Sequence, residues 1–188
     1  MSTAVKTTAK PRLSVKAQTL AAILAIAGAV ALPQLFHVMG AVSGLGTKLG
    51  ETFLPMHLTI FRAGFLAGPC AGAAAGLLAP LVSFALTGMP TSAMLPFMMI
   101  ELCAYGLFAG LLKTVNLPVT VKVLAVQIAG RLVRGAAIAL SVYAFGNAAV
   151  PVSVIWTSIV AGVFGIVLQL VLIPLILYRV ENTGRNEP

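Results

Sequence analysis

Apolar residues in this chain come in runs too long for one face of a soluble helix, and short polar or glycine–proline stretches punctuate them. About 20 consecutive apolar residues carry an α-helix across the roughly 30 Å hydrocarbon layer of a bilayer. The first run, Ala17 to Val38, meets that length after a tail rich in Thr and Lys. It exceeds the apolar core of about 7–15 residues found in cleaved signal peptides, so it is expected to stay in place even though Ala29-Val30-Ala31 looks like a cleavage site. Met39 to Phe53, with Gly40, Gly44, Gly46, Lys48, Gly50 and Glu51, reads as the one long loop. Leu54 to Leu66 is apolar but short and stops at Gly68-Pro69, because proline cannot continue a helix without losing a hydrogen bond. It predicts a short or tilted second helix.

Cys70 to Leu86 predicts the third helix, Thr87-Gly88-Met89-Pro90 a turn, and about Ser92 to Leu112 the fourth. A polar hinge from Lys113 to Lys122, built around Asn116 and Pro118, leads into a fifth helix ending near Phe145. Gly146-Asn147 and Pro151 mark another turn, and a sixth helix over about Val152 to Tyr178 ends at Arg179. The pattern predicts an all-α membrane protein: a single six-helix transmembrane bundle over 17–179, a basic tail over 1–16 and a second tail over 180–188.

Composition agrees, with 60% hydrophobic and 9% charged residues against about 25% charged in soluble domains. Six crossings use roughly 120 positions, which leaves no room for a second folded domain of about 100 residues. Any ATPase is therefore expected on a separate polypeptide. The chain also lacks a GxxxxGK[ST] phosphate loop, HExxH, GxSxG and any aspartate, so no catalytic activity of its own and no chemical cofactor are expected.

Twelve Lys and Arg against four acidic residues give a formal charge of +8. In a soluble protein that excess suggests nucleic acid, but here its placement beside the apolar runs points to lipid head groups instead. With the amino terminus inside, Lys6, Lys10, Arg12, Lys16, Lys113, Lys122, Arg179 and Arg185 fall on the cytoplasmic side and only Lys48 outside, which predicts both termini cytoplasmic.

Arg62, Arg131 and Arg134 lie within predicted spans, where a charge costs about 2.5–3.5 kcal/mol on insertion scales and so faces a cavity or a partner. Gln127, Arg131 and Arg134, at i, i+4 and i+7, share one polar face of the fifth helix. Glu101 is the only acidic residue of the fourth. Two readings stand. Glu101 pairs with one arginine and fixes the bundle, or the surplus guanidiniums hold a bound carboxylate. His57, beside Pro55 and near Glu51, is an interfacial hydrogen-bonding residue or a ligand contact, and Asn147 and Trp156 flank an outer turn as candidate lid residues. The candidate substrate contacts are therefore Arg131, Arg134, Gln127, Glu101, Arg62, His57 and Asn147. Cys70 and Cys103 read as small hydrophobes, with neither disulfide nor metal spacing.

Small residues let membrane helices approach closely. Ala21, Ala25 and Ala29 form one such stripe, suited to internal packing or to another subunit. Gly64, Gly68, Gly72 and Gly76 form a second, which Pro69 interrupts.

The order Leu54-Pro55-Met56-His57, then Ala63-Gly64-Phe65-Leu66-Ala67-Gly68-Pro69, Gly72 and Gly76 through Ser83, resembles the substrate-binding S components of energy-coupling factor (ECF) transporters. Leu86-Thr87-Gly88-Met89-Pro90, Met94-Leu95-Pro96 and Glu101 through Leu112 extend the likeness, which is nearest to the folate and pantothenate group. The detailed similarity lies between Leu54 and Leu112, and the last two helices match by layout. The resemblance implies a multi-pass protein of the bacterial cytoplasmic membrane that captures a water-soluble vitamin from outside. It implies as partners a transmembrane scaffold subunit and two cytoplasmic ATPases that consume the ATP. The Ala21, Ala25 and Ala29 stripe would face the scaffold, while Gly40 to Phe53, Thr87 to Thr91 and Gly146 to Pro151 would cover the ligand. The arginines lean towards a carboxylate-bearing vitamin such as pantothenate, with biotin open. The alternative is a stand-alone secondary transporter of a small anionic solute, although no internal repeat of the kind common in such folds is visible. An intramembrane enzyme would need Ser83, Ser141 or Ser153 to meet His57.

Overall fold

The computed structural model describes residues 13–46, 48–147 and 149–183. The tail residues Lys6, Lys10, Arg12 and Arg185 lie outside them. Eight helical segments account for the regular structure of the described residues: α1 (Val15–Val42), α2 (Lys48–Phe53), α3 (Pro55–Ala67), α4 (Pro69–Thr87), α5 (Leu95–Leu112), α6 (Val119–Tyr143), α7 (Val154–Ala161) and α8 (Val163–Thr183). Five of these, α1, α4, α5, α6 and α8, are long and apolar enough to cross a bilayer. The chain is an all-helical, multi-pass membrane protein. Its outer surface is correspondingly apolar: Leu20, Ile23, Leu24, Leu132, Leu140, Val160 and Val171 are all more than half exposed, as lipid-facing side chains are.

Two segments differ from the sequence reading. The segment Met39 to Phe53 is not a single loop. α1 runs through Pro33 to Val42 and turns back where the amides of Leu45 and Gly46 donate to the Gly40 carbonyl at 2.9 and 3.0 Å. The six-residue α2 follows, held between α1 and α8 by Phe53, whose ring lies 5.1 Å from those of Phe36 and Phe164. The second predicted helix is indeed short. α3 has 13 residues, about 20 Å at 1.5 Å per residue, less than the hydrocarbon thickness.

The other difference is the sixth predicted helix, which is two. It breaks at Gly162, where the chain approaches closely: a Cβ on Gly162 would meet the Leu54 side chain, and one on Gly165 the backbone of Thr52 and Phe53. Leu54 itself holds a left-handed backbone (φ 50°, ψ 48°) between α2 and Pro55, the first residue of α3. This corner is wedged against the α7–α8 break.

The most extensive helix pair is α4 with α5, and glycines set its spacing. A Cβ on Gly72 would meet the backbone of Gly106, one on Gly76 that of Leu102, and one on Gly110 that of Pro69. Gly64 of α3 also faces Gly106 and Ala109. The glycine series is thus spent on packing within the chain, with Gly68 (φ 103°) forming the break between α3 and α4. The alanine stripe is turned inward too. Ala29 is fully buried in the core shared with α3 and α4, and Ala21 and Ala25 pack against that core. Ala29 is therefore committed to packing within the bundle, while Ala21 and Ala25 stay partly exposed.

Candidate binding site

One end of the bundle opens into a cavity of about 500 Å³, within the range usual for small-molecule sites. Its wall comes from the last turns of α1 (Pro33, His37) and α4 (Ser83), the start of α3 (Leu54 to His57), the α4–α5 connection (Met89 to Thr91), the first half of α5, the second half of α6, and α7. Lys113 and Lys122, which flank the α5–α6 connection, lie at the opposite end. There the Lys113 ammonium donates to the Leu66 carbonyl at 2.6 Å and Lys122 to the Lys113 carbonyl at 3.3 Å, closing the end of α3.

Arg131 and Arg134 enter the cavity from α6, and Glu101 meets them from α5. Nη1 of Arg134 donates to Oε2 of Glu101 at 3.0 Å in an ion pair, and Nη2 reaches Sδ of Met94 at 3.6 Å. The other carboxylate oxygen of Glu101 accepts from the Tyr105 hydroxyl at 2.9 Å. Glu101 is only 1% exposed, and these two bonds compensate its burial. Tyr105 is clamped in turn: its ring stacks on Phe61 at 5.2 Å, lies 5.3 Å from His57, and occupies the space that a Cβ on Gly130 would need.

Arg134 thus has a carboxylate partner. Arg131 forms no ion pair among the described residues. The buried Nε atoms of Arg131 and Arg134 and Nδ1 of His57 have no hydrogen-bond partner within the described structure. These three buried nitrogens belong to residues that line one largely apolar space. The arrangement suits an anion, since a guanidinium presents a planar fork matching a carboxylate.

Four of the seven residues expected to contact substrate line this cavity: Arg131, Arg134, Glu101 and His57. Gln127 does not. Its amide donates to Oε1 of Gln169 at 3.1 Å and to the Ile166 carbonyl at 3.4 Å, because one turn back from Arg131 α6 faces α8. The Gln169 amide donates onward to the Leu54 carbonyl at 3.3 Å, so this pair braces the corner above the cavity. Arg62 is exposed and outside the cavity; five residues on from His57, it points about 140° away around α3. Asn147 is also exposed, its Oδ1 accepting from the Ala149 amide at 3.0 Å in a local turn.

Of the three covering segments, 40–53 supplies Gly50 and Glu51, and 87–91 supplies Met89, Pro90 and Thr91. The place expected for 146–151 is taken by α7 with Val154, Thr157, Ser158 and Ala161. Val150 instead packs with Phe97 and Ile138 in a separate small core. Sequence reasoning also passed over Met56, Met89, Met94 and Met98, four of the seven methionines of the chain. Their signal was the recurrence of methionine beside proline near helix starts, in Pro55-Met56 and Met89-Pro90. Comparison of the chain with family models, curated proteins and solved structures finds no match.

Proposed function

We propose that this chain is the membrane-embedded substrate-binding subunit of an ECF-type importer, capturing a carboxylate-bearing, water-soluble small molecule such as a vitamin from the outer face. The observation that carries the proposal is the convergence of Arg131, Arg134 and His57, with three unpartnered nitrogens, on a cavity large enough for such a ligand. The residues that resemble S components, Leu54 to His57 and Met89-Pro90 through Glu101, supply much of its wall.

The topology supports the same reading. Taking α7 and α8 as one interrupted traverse and α3 as a short one gives six crossings and returns the carboxyl terminus to the side of the amino terminus. Lys16, Lys113, Lys122 and Arg179 then share the cytoplasmic side, and the cavity opens outward. ATP is consumed by partner ATPases joined through a scaffold subunit, in the bacterial cytoplasmic membrane.

The test is mass spectrometry of small molecules released from the mildly purified protein, followed by titration. One stoichiometric ligand at nanomolar affinity, about −12 kcal/mol, no turnover by the chain alone, and uptake only with scaffold and ATPases are the expected results. Uptake driven by an ion gradient without any ATPase would overturn the proposal in favour of a secondary transporter.

A further inference from the structure

Resting on the reading of this cavity as a capture site, we infer that its ligand is a monoanion held end-on, with its carboxylate on Arg131 and its body along a methionine wall, and that Glu101 limits the ligand to one negative charge. The charges of the inner cavity decide the count. Arg134 and Glu101 neutralise one another at 3.0 Å, and the second oxygen of Glu101 is taken by Tyr105. One positive charge, that of Arg131, is left over. In a poorly hydrated site an unbalanced charge is costly, and a single carboxylate restores neutrality. A second negative charge would leave the inner cavity net negative, beside Glu101.

The orientation follows from which atoms are committed. Arg131 is half-buried, lines the cavity and forms no ion pair among the described residues, so its guanidinium is available for charge-assisted bonds to a carboxylate. Met56, Met89, Met94 and Met98 line the same cavity and give it a soft, polarizable surface, which accepts an apolar or sulfur-containing body and offers it few hydrogen bonds. The ligand class is therefore a monocarboxylate with a largely apolar body, entering carboxylate first.

Calorimetric titration of the full chain in lipid nanodiscs tests this with matched acid and neutral probes: nicotinate and nicotinamide, lipoate and lipoamide, biotin and biotinamide, pantothenate and pantothenol. Quinolinate and 4′-phosphopantothenate serve as more highly charged counterparts. In the pair that binds, the acid is expected to bind at least about tenfold more tightly than the neutral partner, a difference of about 1.4 kcal/mol. Arg131→Gln should bring the acid down to the level of its neutral partner, and Glu101→Gln should narrow the gap between singly and more highly charged probes. Equal binding of acid and neutral forms, an acid preference that survives Arg131→Gln, or charge discrimination unaltered in a folded Glu101→Gln protein would each overturn the inference. A neutral molecule co-purifying while none of the acids binds would sink the monoanion and leave the capture function standing. If nothing binds and nothing co-purifies with folded protein, both fall.

Discussion

Arg131 and Arg134 stand three residues apart on α6, yet the loss of each strands a different group. Removing Arg134 leaves Glu101, 1% exposed, without its counter-ion; an uncompensated buried charge of this kind costs about 3–5 kcal/mol. Removing Arg131 breaks no ion pair among the described residues. Arg134→Ala should therefore unfold at markedly lower temperature in nanodiscs. Arg131→Ala should melt near the wild type while losing ligand affinity. The reverse order of melting temperatures would show that Arg131, and not Arg134, is the structural partner of Glu101.

At the scale of elements, close packing makes small residues irreplaceable where helices meet. Leucine at Ala29, which is fully buried against α3 and α4, overfills that contact at a cost of about 1–3 kcal/mol. Ala29→Leu is thus expected to lower stability even in the isolated subunit, as thermal unfolding would show. A variant as stable as wild type that fails only to assemble with a scaffold would restore the stripe to an intermolecular role.

Much of this level was legible in the sequence. Hydrophobic runs ended by Gly68-Pro69, Gly88 and Pro118 placed α3 to α6 within a few residues, and the spacing of Arg131 and Arg134 put both on one face of α6, where both line the cavity. What escaped depends on neighbours distant in sequence. Val152 to Tyr178 has an unbroken apolar pattern, and its interruption at Gly162 falls where the chain packs closely against Leu54, over a hundred positions earlier. Gln127 shares a helical face with the arginines on a wheel diagram, but Gln169 on α8 claims its amide. Periodicity specifies which residues share a face, not which neighbour each part of that face will meet.

For the whole molecule, charge and shape divide the bundle into two ends. Lys113 and Lys122 close one by donating to carbonyls, while the other opens into the cavity. Tyr143, Phe145 and Trp156 are well exposed near the open end and Tyr178 near the closed one, as aromatic residues at both membrane interfaces would be. In a background lacking Cys70 and Cys103, Lys48→Cys should react with a membrane-impermeant thiol reagent added to intact cells. Asn116→Cys, exposed in the α5–α6 connection, should react only after permeabilisation. The opposite labelling pattern would invert the topology and turn the cavity towards the cytoplasm.

The break at Gly162 also separates two duties that a continuous helix would have merged. α8 is anchored to the frame through Gln169, Ile173 and Leu177, whereas α7 has no fully buried residue and still faces the cavity with Thr157, Ser158 and Ala161. Substitutions in that turn and a half can reshape what the cavity accepts without disturbing the helices that hold it. If the chain serves the capture role proposed above, α7 is where drift in the gene would change the ligand while the helical frame stays intact.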